Sequence, residues 1–227
     1  MKKIPRIQSS LKEASAYTEE DRLIVSTGRM RRVWRWTEVG FSTSEISDAE
    51  TGRVWPNRDG DCDWQLPDGN EPSEAELHAL TATVQDDEGF TSKHVCVTAD
   101  IVYPAAGITL RFTVWAYPNA GGLRTQLSAC SYNSVKMSVP SVNSPTLNAR
   151  VDRIPIGETP LRRRLFGYYN DTQRRNDPHL DLLKEEVVTA PLDGNQWCNW
   201  ASVACIEDAD AGIALVKESR TAKSSLY

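Results

Sequence analysis

The chain has 227 residues, of which 26 are lysine or arginine and 31 are aspartate or glutamate, so its formal net charge at pH 7 is −5. This balance argues against a nucleic-acid partner, because such domains normally carry a basic excess that neutralises phosphates. No apolar run approaches the roughly 18 residues of a membrane span, which argues against a membrane partner as well.

The cysteines and the N-terminal residues bear on the compartment. Five cysteines are an odd number and form no CxxC pair, which is typical of reduced cytosolic thiols rather than of a disulfide framework or a zinc site. Met1-Lys2-Lys3 resembles the start of a signal peptide, but residues 4–17 are mixed and polar instead of apolar. We expect a soluble, cytoplasmic protein without a cofactor.

Residues 1–21 carry no clear strand pattern. Ser10-Leu11-Lys12-Glu13 fits a capping box and could start a short helix, and a loose polar arm is the alternative. The sequence therefore predicts an N-terminal arm over 1–21, before a folded domain that begins at residue 22.

The segment RRVWRW, residues 31–36, combines arginines with tryptophans. Such a mixture could bind phosphates and stack bases, but the acidic balance of the chain argues against this. Trp34 and Trp36 are two positions apart and share one face of a strand, while Val33 and Arg35 lie on the other. The spacing predicts a strand with a tryptophan-bearing core face and a solvated arginine face.

Period-two alternation continues along most of the remaining chain. It is strictest in ITLRFTVWAY, residues 108–117, where the even positions 108–114 are apolar and Trp115 and Tyr117 lie on the opposite side. Further strands are predicted at 22–28, 30–40, 41–47, 76–84, 92–103, 122–130, 200–208 and 212–219. The segment 176–186 could start a helix, although a strand is favoured. Short strands with almost no helical periodicity predict an all-β sandwich of two antiparallel sheets.

DGDCDW, residues 59–64, places aspartates at alternate positions, as a calcium loop does. An EF-hand loop also needs glycine at its sixth position and glutamate at its twelfth, which here are Trp64 and Asn70. The alternatives are a solvated acidic loop and a carbohydrate contact. In the second, Trp64 would stack on a sugar while Asp61 and Asp63 bind its hydroxyls.

No other segment has the pattern of a catalytic or metal site. The histidines, at positions 78, 94 and 179, are scattered without metal-ligand spacing, and no GxSxG is present. NAGGLR, residues 119–124, is interpreted as a hairpin turn rather than a phosphate-binding loop. We therefore assign no catalytic residue and no metal ligand.

Several segments together resemble a known family. RLIVSTGRMRRVWRW (22–36), followed by GFSTSEISDAETGRVW (40–55), resembles the opening of the N-terminal β-supersandwich of glycoside hydrolase family 36 α-galactosidases. VDRIPIG (151–157), GYYNDTQ (167–173) and the segment 200–219 are similar to later strands of that domain. The resemblance implies a supersandwich related to galactose-mutarotase domains.

The resemblance also implies domain limits and partners. The supersandwich would occupy residues 22–219, and the tail at 220–227 stands where the family's catalytic (β/α)₈ barrel would follow. The barrel's KxD and SDP-like motifs have no counterpart, since the one Asp-Pro pair, Asp177-Pro178, lies before a predicted strand. We therefore expect a non-catalytic N-terminal domain that supports such a barrel, shapes the rim of its galactoside pocket and contributes to homo-oligomer contacts.

Two alternatives remain. A stand-alone carbohydrate-binding sandwich would use Trp64, Trp115 and Tyr117 as stacking residues, although Trp115 and Tyr117 could instead pack against another layer. A mutarotase-type enzyme would need an acid and a base around the sugar's anomeric centre. The histidine that the resemblance would place near GYYNDT is absent, which argues against that enzyme.

Overall fold

The computed structural model describes residues 3–57, 60–67, 69–131, 151–153, 162–168, 183–189, 197–198, 201–207, 210–216 and 224–225. Within these ranges the chain consists of strands and turns, and its helical content is one 3₁₀ turn at Asp87–Gly89. All the described strand pairs are antiparallel, so the prediction of an all-β, antiparallel fold is confirmed. No helix in the described part of the chain is long and apolar enough to cross a membrane.

The chain forms two compact units. The first consists of Met1–Ser141 with Ala149–Gly157, and the second of Val142–Asn148 with Glu158–Tyr227. Residues 22–219, predicted to be one domain, thus extend over both units.

The first unit contains two sheets. Sheet A has six strands in chain order, namely β1 (Gln8–Leu11), β2 (Ala14–Glu19), β3 (Arg22–Ser26), β4 (Met30–Trp36), β5 (Phe41–Asp48) and β6 (Val54–Pro56). Sheet B has four strands in the order β10–β9–β8–β7, namely β7 (Glu76–Gln85), β8 (His94–Tyr103), β9 (Ile108–Ala116) and β10 (Arg124–Ser131). Both sheets are built from hairpins between consecutive strands, in agreement with the alternating pattern of the sequence.

The N-terminal residues belong to sheet A. Residues 10–13 form neither the short helix nor the loose arm that were considered for them, because β1 ends at Leu11 and Lys12 adopts a left-handed turn with φ of 50° before β2. The physical reason lies in β2, where Ala14 and Ala16 are completely buried. Two small apolar residues at strand spacing gain more from burial in the core than the local capping box offers.

The core of the first unit contains side chains from both sheets. The predicted apolar face of β9 is confirmed, since Ile108, Leu110, Phe112 and Val114 are at most 5% exposed. The Phe112 ring lies 5.6 Å from the ring of Trp34 in sheet A, which is an edge-on contact of the kind that aromatic pairs prefer. Aromatic packing therefore joins β4 of one sheet to β9 of the other.

The hairpin between β5 and β6 turns at Glu50-Thr51-Gly52, which is a tight-turn sequence. The carboxylate of Asp48 accepts hydrogen bonds from the Glu50 backbone N–H at 3.0 Å and from the Thr51 hydroxyl at 2.8 Å. These bonds lower the pKa of Asp48, the bond from Glu50 having the largest effect. Gly52 takes the left-handed conformation that closes the turn, with φ of 70°.

The second unit also contains two sheets in its described part. One has the strand order β12–β11–β14–β15, formed by β11 (Arg162–Tyr168), β12 (Leu183–Thr189), β14 (Ala201–Glu207) and β15 (Gly212–Val216). The other pairs β13 (Trp197–Cys198) with β16 (Ser224–Ser225). The strand alternative for 176–186 agrees with β12 from residue 183 onward, and residues 176–182 lie outside the described residues. Apart from β16, the tail at 220–227 also lies outside them.

Candidate functional site

Trp64, the main sugar-stacking candidate, lies in the core. It is 0% exposed, and its ring centroid is 5.2 Å from that of Phe112. Its indole Nε1 donates a hydrogen bond to the hydroxyl of Tyr103 at 2.9 Å. This corrects the sequence-based interpretation of Trp64, because neither face of a fully buried indole is available to a ligand.

The two aspartates proposed to accompany Trp64 lie in different environments. Asp63 is 2% exposed, and its carboxylate accepts hydrogen bonds from the Thr43 backbone N–H at 2.8 Å and from Trp34 Nε1 at 3.0 Å. The side chain of Asp61 is 69% exposed and pairs with the Arg153 guanidinium at 3.0 Å. Asp63 therefore offers no oxygen to a sugar at the surface, whereas Asp61 does.

A buried ionic cluster surrounds Asp63, and Arg32 lies at its centre. The Arg32 side chain is only 5% exposed, and its Nη2 is 3.1 Å from Asp63 Oδ2. The same guanidinium donates to Thr43 Oγ1 and to both carboxylate oxygens of Asp152, and it lies 4.7 Å from the ring centre of Trp34. We call Arg32, Thr43, Asp63 and Asp152 the Arg32 cluster.

Asp152 connects this cluster to the second sheet. Its Oδ2 accepts a hydrogen bond of 3.1 Å from the hydroxyl of Thr125 on β10, while Arg32 reaches it from β4. The Arg32 cluster thus includes contacts from both sheets and from the short segment at residue 152.

The charges in the cluster do not cancel, because one guanidinium faces two carboxylates. Burial raises the pKa of Asp63 to about 6; Arg32 and the bonds from Thr43 oppose this rise, and Asp152 adds to it. Burial alone would lower the pKa of Arg32, but the carboxylates of Asp152 and Asp63 raise it above its ordinary value. Glycoside hydrolysis needs two carboxyl groups open to a substrate between them. Here a guanidinium contacts both carboxylates, so the cluster is suited to holding structure rather than to catalysis.

Trp115 lies on the side of sheet B that faces away from the core, which we call the sheet B outer face. The strand register aligns its residues in three cross-strand rows: Thr83, Cys96, Trp115 and Arg124 in the first, Thr81, Thr98, Thr113 and Gln126 in the second, and Ala79, Asp100, Arg111 and Ser128 in the third. Trp115 is partly exposed, and the Arg124 guanidinium lies 4.8 Å from its ring centre. An aromatic ring beside a row of hydroxyl and amide groups is therefore accessible on this face.

Tyr117 follows β9 and is partly exposed as well. Its ring centroid is 4.7 Å from that of His94, which is completely buried. His94 is held in turn by a contact of 2.9 Å between its Nδ1 and the Ser92 carbonyl oxygen. Tyr117 packs on a completely buried histidine, whereas the side chain over the Trp115 ring is the exposed Arg124, so Trp115 is the better candidate for stacking on a ligand.

Arg32, Thr43 and Asp152 are not among the site residues predicted from the sequence. A signal for Arg32 was available, because it precedes Trp34 by two residues and so shares the core face of β4 with the tryptophans. The prediction that Trp34 and Trp36 are buried is confirmed, at 0% and 6% exposure. The predicted solvated face holds for Arg35, whose side chain is 50% exposed. No local signal pointed to Asp152, which is distant from Arg32 in the sequence.

Within the described ranges, no three His, Cys, Asp or Glu side chains are grouped so that they could hold a metal ion. Comparisons of the chain with protein-family models, with curated proteins and with solved structures find no match. The resemblance to α-galactosidase N-terminal domains therefore stays a prediction, and the geometry described above is the basis for a functional proposal.

Proposed function

We propose that this chain is a non-catalytic carbohydrate-binding β-sandwich module, and that a sugar binds on the sheet B outer face against Trp115. The observation that carries the proposal is the position of Trp115, which is partly exposed in the same row as Thr83 and next to the row that contains Thr98 and Thr113. Of the predicted stacking residues, Trp64 is buried and Tyr117 packs on buried His94, whereas the Trp115 ring is partly exposed and lies against the exposed Arg124 side chain.

The chemistry of this face suits a sugar. The C–H side of a pyranose ring stacks on an indole, while hydroxyl and amide side chains exchange hydrogen bonds with sugar hydroxyls. Thr98, Thr113 and Gln126 supply such groups, and the cross-strand spacing of about 5 Å lets neighbouring groups contact one sugar residue. In the next row Arg111 is bound to Asp100 by two hydrogen bonds, of 2.7 and 2.9 Å, which orient both side chains.

The wider proposal is that the module accompanies an α-galactosidase-like catalytic barrel. Its support is the order of the sequence motifs in residues 22–55 and 200–219. A binding module in that setting needs no acid and base of its own. In that case galactose-containing glycans are the class of ligand to test first.

The test is a binding titration of the purified chain with galactose, methyl α-galactoside and galactomannan. Trp115→Ala should weaken binding about tenfold or more, because stacking on a tryptophan supplies much of a sugar site's apolar contact. The matched control is Tyr17→Ala, which removes a partly exposed aromatic residue from sheet A. Tyr17 lies opposite Ile24 in the strand register, on the side of sheet A away from the Ala16–Val25 pair of the core, so this change should leave the affinity unaltered.

Two results would contradict the proposal. The first is the absence of binding to all three probes by the wild-type chain at millimolar concentration. The second is binding that Trp115→Ala leaves unchanged, because the ligand would then contact a different surface.

A further inference from the structure

The segment Val151–Arg153, which we call the strap, is attached to the first unit by polar contacts. The Asp152 side chain is 10% exposed and pairs with Arg32, while the backbone carbonyl of Arg153 accepts a hydrogen bond of 3.0 Å from Arg32 Nη2. The Arg153 guanidinium in turn reaches Asp61 at 3.0 Å. Val151, by contrast, is 57% exposed and adds little apolar burial. The contacts of the strap with Arg32 are therefore polar and buried.

Arg32 keeps other partners if the strap leaves. Asp63 lies 3.1 Å from Arg32 Nη2, and Thr43 Oγ1 is 2.9 Å from Arg32 Nε. Asp63 is itself fixed to β5 through the backbone N–H of Thr43. Removal of Asp152 thus leaves one guanidinium with one carboxylate, a neutral pair, rather than an uncompensated buried charge.

The two carboxylates of the cluster therefore play different parts. Asp63 is the permanent partner of Arg32, because its bonds come from strands β4 and β5 of sheet A. Asp152 is the exchangeable partner. Its carboxylate is held by Arg32, by the Thr125 hydroxyl and by the backbone N–H of Arg153, which is part of the strap itself. Opening of the strap exchanges these contacts for water without disturbing the pair that remains.

We propose that the strap is a latch, which opens by withdrawal of Asp152 from Arg32 while the sandwich of the first unit stays folded. Its position in the chain gives the opening a consequence. The residues on either side of Ala149–Gly157, namely Val142–Asn148 and Glu158–Tyr227, belong to the second unit. Opening of the latch therefore frees Val151–Arg153 from its contacts with β4 and β10 of the first unit.

The test is limited trypsin digestion of the full chain under native conditions, with mass spectrometry to time cleavage after Arg153. Asp152 directly precedes Arg153, and an acidic residue there slows trypsin by itself, so each rate is divided by the rate for the same bond in the denatured variant. On this scale Asp152→Asn should accelerate cleavage about tenfold, because it weakens the charge-assisted hydrogen bonds that hold the strap closed. Cleavage after Arg22 and Arg111, which lie within strands β3 and β9, should keep its wild-type rate. The matched control is Asp61→Asn, which removes the exposed partner of Arg153 and leaves Arg32 untouched, and it should change the rate by less than about twofold.

An unchanged rate after Arg153 in Asp152→Asn would overturn the proposal. Acceleration at Arg22 and Arg111 to the same extent would also overturn it, because the strap would then open only with the whole unit. If Asp152→Asn does not fold, Thr125→Val decides, since it removes one bond to Asp152 and leaves the Arg32–Asp63 pair intact. Faster cleavage after Arg153 in a folded Thr125→Val protein supports the latch, and an unchanged rate rejects it.

Discussion

The indole Nε1 of Trp64 donates a hydrogen bond of 2.9 Å to the hydroxyl of Tyr103, and both side chains are buried in the core of the first unit. The Tyr103 hydroxyl donates onward to the carbonyl of Val39, also at 2.9 Å. Tyr103 thereby links strand β8 to the loop that contains Trp64 and to the turn between β4 and β5. Burial raises the pKa of Tyr103, so the hydroxyl stays protonated and keeps its donor role.

Removal of this hydroxyl should destabilise the protein. Tyr103→Phe leaves the indole N–H of Trp64 and the carbonyl of Val39 without this partner, which we expect to lower the free energy of unfolding by about 1–3 kcal/mol. Chemical denaturation measures the change. Tyr17→Phe is the control, since Tyr17 is only partly buried and should lose less than about 0.5 kcal/mol. Equal effects of the two changes would contradict the role assigned to Tyr103.

The aromatic contacts of Phe112 make it the most informative core position. Its ring is in contact with the rings of Trp34, Phe41 and Trp64, with centroid distances of 5.6, 6.1 and 5.2 Å. Phe112→Ala should lower the free energy of unfolding by about 3–5 kcal/mol, because it removes these contacts and leaves a cavity. Thr113→Ala, on the opposite side of the same strand, should cost less than about 1 kcal/mol. A loss below about 1 kcal/mol for Phe112→Ala in denaturant titration would contradict this packing.

Gly40 is required by a close approach of the backbone to the core. It has φ of 145°, and a Cβ atom there would lie 2.5 Å from Cys62 Sγ and 2.9 Å from the Trp64 ring. Gly40→Ala should therefore lower the free energy of unfolding by about 3 kcal/mol or more, through backbone strain and overpacking together. Gly52→Ala is the matched control, because Gly52 has φ of 70° but a Cβ atom there would meet nothing within 4 Å, so only the cost of the left-handed conformation, about 1 kcal/mol, is expected. Thermal and chemical unfolding should rank the two variants in this order, and the reverse order would contradict the close contact.

The raised pKa of Asp63 predicts a specific pH dependence. Because its pKa in the folded state is about 6 and its ordinary value is 3.8, the folded chain binds this proton more tightly than the unfolded chain does. The corresponding stability is fully present below pH 3.8 and is lost as the pH rises through about 6. Asp63→Asn cannot titrate at this position. The free energy of unfolding of the wild type should therefore fall relative to that of Asp63→Asn as the pH rises through this window. Denaturant titrations at a series of pH values measure this difference, and a shift in the opposite direction would show that Arg32 lowers the pKa instead.

The strands could be predicted from the sequence because their signal is local. In residues 94–103 and 108–116 apolar residues alternate with polar ones, and each strand has one face in the core. The same alternation predicted the burial of Trp34 and Trp36. The same alternation places Arg32, two residues before Trp34, on the tryptophan face, although it names none of the partners of Arg32.

The candidate site was predictable only in part. Trp115 was placed correctly on the face opposite the apolar residues of β9, because its strand has a regular period. Trp64 and Asp63 lie in an irregular loop after β6, where no period indicates which side chains turn inward. Their composition suggested a polar surface loop, yet both are buried and satisfied by partners on β4, β5 and β8.

By itself, the sequence of this protein determined which segments form strands and which side of each strand is apolar, since side-chain alternation is a property of neighbouring residues. Only the tertiary structure decided the partners of its buried polar groups. Arg32 and Asp152 are 120 positions apart, and they meet where Arg32 of β4 and Thr125 of β10 both donate to the Asp152 carboxylate. A buried charge is stable only beside an opposite charge, and no pattern of neighbouring residues states which distant residue supplies it.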